Sequence, residues 1–514
     1  MLRRSELAII VAIVTAAVLW WTWGSLQPIP TVQDEYSYLL QSRIFAHLHW
    51  TAPPPPVPSS FQQPHVLTTP RVASKYPPGH ALLLVFGTVV GAPWLVPLVL
   101  SGISAALIFL LAESAAGTGI ALLCWAVWLG DPVTLKFQPG YYSEVTSGLA
   151  FLASWWFLRR WRVNGEPRWL AFTAVAIGWM AITRPLTALM FAVPIGAYVI
   201  ARVVRHRLWR HILFAGLAGA AVIAILPLWS AETTGKWNLS PVALYTRDYL
   251  PFDKPGFGFD STPPALPLSP VTQDLYDEFS RYHKSYAPAE VPRAAFDRLR
   301  ELSKVEWAGW RIALVPFLLI GVVFASSELW LAIACAVAVF VGYLSYAYWA
   351  GWTLYSLESI PVLAFCVGNG VRTVWGWIKR RWPSRALGYA VELGAPAAVA
   401  LLAIPVLLAS RHKHIKDAEY DTAFYKTIAS APFQGMVVFV RYSPKQHPHG
   451  NLVANSPTLA TDRMWVVMDD PAQNAVVLRA AKGRVPVLFE EHGSKLSVYQ
   501  SLLQSPELRA TSER

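Results

Sequence analysis

Residues 7–23, LAIIVAIVTAAVLWWTW, carry no charge, and shortly after them the chain reads Val32-Gln33-Asp34-Glu35-Tyr36-Ser37-Tyr38. The first stretch approaches the roughly 20 apolar residues that a bilayer crossing requires. Arg3 and Arg4 precede it, and no small-residue cleavage site follows. It therefore reads as a retained signal anchor with a cytoplasmic N-terminus. The second stretch then emerges on the outer side. Two adjacent carboxylates beside a low-dielectric slab are expensive unless they are used there. An α-helical polytopic membrane protein with chemistry on its outer face is the expectation.

Composition agrees. Of 514 residues, 54% are hydrophobic and only 14% charged, where a soluble domain has roughly 25% charged. That balance excludes a disordered chain, a disulfide scaffold and an ordinary soluble enzyme. Further apolar spans are expected at about 94–112, 118–131, 141–158, 169–183, 185–203, 211–229, 308–324, 329–349, 356–376 and 386–409. With the anchor they make about 11 transmembrane helices. Segment 80–91 is apolar but too short to cross. It reads as an interfacial or re-entrant helix, because counting it as a span inverts every later loop.

Charge placement supports this topology. The predicted cytoplasmic segments hold Arg3, Arg4, Arg159, Arg160, Arg162, Arg168, Arg202, Arg205, Arg207, Arg210, Arg372, Lys379, Arg380, Arg381 and Arg385, against Glu6, Glu113, Glu166 and Glu328. Short outer loops hold only Lys136 and Arg184. Nearly all of the formal net charge of +12 is thus a positive-inside signal. It is not a nucleic-acid footprint, and no nucleic-acid partner is expected.

The reading divides the chain into a transmembrane domain, residues 1–409, and an extracytoplasmic α/β accessory domain, residues 410–514. The former carries a first outer loop, 24–93, and a large outer loop, 230–307. Prolines at 53–56 bar a helix in the first loop, whereas 291–304 in the second has helical periodicity. In the tail, apolar runs at 436–440, 464–467, 475–478 and 485–489 read as short strands, with a helix at 421–430. Cys124, Cys335 and Cys366 lie inside apolar stretches with no metal spacing and read as buried hydrophobes.

Three clusters could carry chemistry on the outer face. Asp34-Glu35 offers a general base toward a hydroxyl. The alternative is structural: Asp34 or Thr31 capping a short helix through residues 38–46. Ser74-Lys75-Tyr76-Pro77-Pro78-Gly79-His80 is an extended turn back toward the bilayer. Lys75 there is placed either to meet a lipid-linked phosphate or to snorkel among headgroups. Glu144, Arg184 and Glu358 lie at outer helix ends, as ionisable groups facing a shared cavity or as interfacial anchors. His47, His49, His65 and His80 fall in the first loop without diagnostic metal spacing, which leaves a divalent metal open and no cofactor required.

Together these features resemble the GT-C superfamily of lipid-phosphosugar-dependent glycosyltransferases, in particular the glycosyltransferase family 39-like protein O-mannosyltransferases and the lipid A aminoarabinose transferases. In that family an Asp-Glu pair followed by a Tyr opens the first outer loop, as Asp34-Glu35 and Tyr38 do here. Lys75-Tyr76-Pro77-Pro78 is similar to its Lys/His–aromatic–Pro–Pro re-entry element. The turn from Gly351 through Tyr355 and Glu358 to Pro361 is similar to its late outer turn, which usually carries an Arg before the Glu; this chain has none there.

The resemblance implies a donor sugar on a polyprenyl phosphate and a glycan, lipid or protein acceptor, with transfer at the outer face of a plasma or inner membrane. Asp34 would be the base, with Glu35 beside it, and Lys75 with Arg184 would stabilise the departing phosphate. Tyr38, Tyr76, His80, Glu144, Tyr355 and Glu358 would line the substrate site. Two other classes compete with this reading. A transporter or flippase of lipid-linked sugars would favour internal repeats and helices broken near the midplane, and no repeat is visible. A non-catalytic cell-envelope assembly protein would consume no donor.

Overall fold

The protein is described from a computed structural model over residues 3–24, 29–382, 388, 390–443 and 451–504. Arg385, the start of the 386–409 span, residues 25–28 of the first outer loop and the last ten residues of the tail lie outside the described residues.

The apolar segments expected as spans are mostly helical over the described residues, although residues 344–349, at the end of the expected span 329–349, form no helix. Six described helices are long and apolar enough to cross a membrane: Arg4–Thr22, Leu95–Ala116, Pro185–His206, Trp209–Thr234, Thr353–Arg381 and Val391–Ala429. The apolar helix Gly309–Val323 forms a bent pair with Pro288–Glu306, the two meeting at 109°, as a broken span or a re-entrant loop. Other apolar helices fall outside this group by length or polarity. Thr118–Leu129 has 12 residues and covers about 18 Å of a hydrocarbon core of about 30 Å. Ser143–Asn164 is long enough but carries Arg159, Arg160 and Arg162 in its last turns. Gly79–Val89, the expected re-entrant segment, is a helix of 11 residues.

The bent pair is pinned by a buried guanidinium. Arg311, 2% exposed, sets Nη2 2.6 Å from Asp131 Oδ2 and 3.3 Å from Glu306 Oε2. Its Nε donates to the Glu306 carbonyl at 2.6 Å. The other Asp131 oxygen accepts from the Val133 and Thr134 N–H groups, capping helix Pro132–Phe137. One side chain thus ties a helix start to the break between two others. The three cysteines are free and buried in the apolar interior.

Strands β1 (Val66–Leu67) and β2 (Ala73–Ser74) form a small antiparallel hairpin in the first outer loop, Val66 opposite Ser74. The tail carries β3 (Met436–Arg441), β4 (Met464–Met468), β5 (Val485–Glu490) and β6 (Lys495–Val498) in the order β4-β3-β5-β6. β3 pairs parallel with both neighbours, and β6 closes one edge antiparallel. The run at 475–478, expected as a strand, lies instead in helix Asn474–Ala480. A short continuous apolar run has no period to separate the two states. The turn before it decides: Asn474 Oδ1 accepts from the Asp470 N–H and its amide donates to Asp469, starting a helix.

The expected helix at 421–430 is the end of a single helix, Ala395–Ala429, continuous with the last apolar span. The expected boundary between residues 409 and 410 therefore falls inside a helix. Phe424 and Ile428 at its end pack with Val271 of the large outer loop against one face of the sheet. Val57 and Phe61 of the first outer loop pack against Val437, Phe439 and Trp465 on the other face. The Met468 N–H donates to the Ser60 carbonyl at 2.8 Å. Both outer loops are thus clamped to the sheet, on the side where Asp34 lies.

Candidate active site

Helix Gln33–Ala46 begins at the Asp-Glu pair, and the two carboxylates part company there. Glu35, 1% exposed, turns back. Its Oε2 accepts from the Thr31 N–H at 2.8 Å, the Thr31 hydroxyl at 3.2 Å and the Val32 N–H at 3.3 Å. Its Oε1 accepts from the Tyr141 N–H at 2.8 Å. Capping therefore falls to Glu35, and neither Asp34 nor Thr31 acts as the cap side chain. Its oxygens are engaged by backbone donors at a helix start and a neighbouring loop. Burial pushes its carboxyl up to about 7, and these hydrogen bonds oppose the rise. Glu35→Ala is expected to destabilise the protein by about 2–4 kcal/mol by orphaning these N–H groups, read as a lower thermal midpoint in detergent.

Asp34 faces the other way. Its side chain is 39% exposed, and His65 Nε2 lies 4.0 Å from Oδ2. The Tyr76 hydroxyl donates to Oδ1. Burial of the neighbourhood pushes the Asp34 carboxyl up, but His65, the Tyr76 hydrogen bond and Lys75 together outweigh it and hold it below its ordinary value. A carboxylate that stays ionised, opens to solvent and is steered by one hydroxyl is fit to accept a proton.

The β1–β2 hairpin brings the partners in. The Lys75 N–H donates to the His65 carbonyl at 3.0 Å, and the Ser37 hydroxyl donates to the same carbonyl at 2.7 Å. Ser37 and Ser74 hydroxyls meet at 2.7 Å. Lys75 is 7% exposed, which corrects the snorkelling alternative: its Nζ points inward, 5.1 Å from the Tyr76 ring centre and 4.9 Å from that of Tyr245. Its ion partner is Asp253, Nζ to Oδ2 3.5 Å.

Behind this pair Tyr38 stacks on Tyr76 at 4.9 Å, and its hydroxyl bonds the Ser143 side chain. Ser143 also accepts from Arg184 at 3.2 Å. Arg184 holds both acids expected at outer helix ends, donating to Glu144 and lying 3.3 Å from Glu358. Ser147 donates to the same Glu358 oxygen at 2.6 Å. Arg184 thus reaches Glu358 from a different helix, where the late outer turn lacks a nearby arginine of its own. Its Nη2 donates to Tyr343 at 2.6 Å, and its guanidinium lies 5.5 Å from the ring centre of Tyr355.

One expectation changes in kind. His80 is fully buried, its Nδ1 2.8 Å from the Thr146 hydroxyl and its Nε2 2.9 Å from the Tyr141 carbonyl. With both nitrogens engaged it braces the loop and has no donor for a substrate. Arg184 is paired with two carboxylates, in a trio behind the Asp34–Lys75 pair. His65, Asp253, Tyr245 and Tyr346 were not legible as site residues. His65 lay among scattered histidines, and Asp253 lies in a proline-rich loop with no local pattern. Among the described residues no three His, Cys, Asp or Glu side chains converge to hold a metal ion.

The sequence matches no family model and no curated protein. The fold does have relatives. ArnT from Cupriavidus metallidurans bound to undecaprenyl phosphate superposes with a TM-score of 0.60 over 93% of this chain and 92% of that one, at 14% identity. The chain has the GT-C fold. ArnT in the apo state superposes with a TM-score of 0.52 over 94% and 93% of the two chains, at 13% identity.

Proposed function

We propose that the protein is a membrane glycosyltransferase that moves a sugar from a polyprenyl-phosphate donor to an acceptor hydroxyl at the extracytoplasmic face, with inversion. The observation that carries this reading is the pairing of an ionised, solvent-open Asp34 with a buried Lys75 through Tyr76. The GT-C fold, and an ArnT structure that holds undecaprenyl phosphate, support the class of donor.

In this reading Asp34 takes the proton of the acceptor hydroxyl as its oxygen attacks the anomeric carbon. The carbon–oxygen bond to phosphate breaks on the opposite face, and the leaving phosphate gains a negative charge. Lys75, in a pocket where water does not screen it, stabilises that charge as it grows. Tyr76 aims the base, while Tyr38 and Tyr355 offer aromatic walls to the sugar. The Glu144–Arg184–Glu358 trio fixes the helices that carry those walls. Packing of both outer loops against the tail sheet supports a closed compartment over the site. In this reading the tail is extracytoplasmic, the N-terminus cytoplasmic and the protein in a plasma or inner membrane, as the placement of arginines suggests. Closure matters because hydrolysis competes with transfer.

The test is incubation of the purified protein in lipid with radiolabelled polyprenyl-phosphate sugars. Release of polyprenyl phosphate coupled to labelled acceptor supports the proposal. Intact donor across all sugars and acceptors tried, with the protein folded, would leave transport or assembly as the better reading.

A further inference from the structure

Lys75 is the cation that a donor phosphate would meet, yet its ammonium is already neutralised. Asp253 Oδ2 lies 3.5 Å from Nζ, with the two side chains 5% and 8% exposed. The contact is longer than the roughly 2.7–2.9 Å of a strong charge-assisted hydrogen bond, so the pair is matched in charge but loose in geometry. The other Asp253 oxygen accepts from the Tyr346 hydroxyl, which holds the carboxylate over Lys75. The residue sits on a segment with no helix or strand between Tyr249 and Pro270. That segment holds Pro251, Pro255, Pro263, Pro264 and Pro267, with Gly256 at φ 135 and Gly258 at φ 88. Two backbone bonds beyond Asp253, Gly256 N–H to the Ser345 carbonyl and Gly258 N–H to the Tyr286 carbonyl, tether it to the helical body.

A lipid phosphate brings the same sign of charge as Asp253 to the same ammonium. In a pocket this dry, two anions on one cation repel strongly, so the phosphate and Asp253 compete. Asp253 can withdraw without breaking a helix or a strand ladder, though the buried Leu250 and Phe252 just before it must loosen as it does. We infer that Asp253 is an anionic placeholder: it occupies Lys75 in the empty enzyme, is displaced by the lipid phosphate, and returns to help expel it after transfer. The inference rests on the proposed function, because it needs Lys75 to receive a lipid phosphate. It assigns Asp253 a positioning role through Lys75, setting donor affinity and product release rather than the chemical step.

The experiment uses the full chain in nanodiscs and undecaprenyl phosphate as the probe. Asp253→Asn, which keeps an acceptor for Tyr346, is expected to bind the probe roughly tenfold more tightly than the wild type, and Lys75→Met roughly tenfold more weakly. In the double variant the Asn gain should vanish. In transfer assays Asp253→Asn should lower the donor KM and also lower kcat, because the lipid phosphate lingers. A gain that persists without Lys75 would mark bulk electrostatics and overturn the inference. So would unchanged or weaker binding by Asp253→Asn while Lys75→Met still loses affinity, although the lipid-phosphate reading would then stand. Wild-type binding by Lys75→Met would instead overturn that reading itself. Hydrogen exchange on the wild type covers a variant that fails to fold: undecaprenyl phosphate should speed exchange at residues 250–258, and unchanged or slowed exchange there counts against displacement.

Discussion

Asp34→Asn is expected to lower sugar transfer by roughly 10³-fold or more, with expression and membrane insertion unchanged and only a small fall in thermal midpoint from the lost charge. The substitution keeps the shape of the side chain and an acceptor for the Tyr76 hydroxyl, so little besides basicity is lost. Initial rates with radiolabelled donor check it, and transfer near the wild-type rate would remove Asp34 from the mechanism. The pH profile separates Asp34 from its neighbour. Burial pushes the Asp34 carboxyl up, but His65, the Tyr76 hydrogen bond and Lys75 outweigh that and leave it below the ordinary value. The base form is then present at every pH above that depressed value, and activity is lost only as the pH falls through it, below the ordinary aspartate range. The stability linked to Asp34 has the same sign: present above the ordinary aspartate value, lost as the pH falls through the depressed one. Glu35 is pushed by burial to about 7. An acid limb of kcat/KM centred near 7 would therefore assign the base to Glu35 instead.

Arg184→Ala is expected to cost about 3–5 kcal/mol of stability. Glu144 is 3% exposed and Glu358 2%, so removing the guanidinium leaves two buried carboxylates facing each other with no cation between them. The Tyr343 hydroxyl and Ser143 lose a donor as well. Arg184→Lys should recover only part of the loss, because one ammonium cannot reach Glu144, Glu358 and Tyr343 as a planar fork does. Adding Glu144→Gln and Glu358→Gln to Arg184→Ala should recover more, since the unpaired charge is then gone. Thermal unfolding in detergent measures all four proteins. A stable Arg184→Ala variant would mean that the trio is not a brace.

The residues most legible in the sequence were those whose chemistry is unusual where they stand. Asp34 next to an apolar anchor, Lys75 before two prolines, and Glu144, Arg184 and Glu358 at helix ends each break the rule that charge avoids a bilayer boundary. What local sequence did not reveal was which member of each set does what. Asp34 and Glu35 are adjacent and chemically alike. Only the three N–H groups of Thr31, Val32 and Tyr141 turn Glu35 into a cap and leave Asp34 open. Asp253 was invisible because its meaning comes from a lysine 178 residues away.

The outlines of the fold divide in the same way. Hydrophobic runs determined, without any structure, that this is a helical membrane protein, because burying apolar surface and keeping charge in water are local requirements on every segment. That Ala395–Ala429 runs on from the last apolar run into the tail, and that 475–478 is helical, only the structure shows. Short apolar helices such as Thr118–Leu129 satisfy composition alone as well as a long one does, and only their neighbours fix their depth. The site follows the same physics. Sequence determined which ionisable groups were there to be used, and packing decided which carboxylate stays free and which cation is held in reserve.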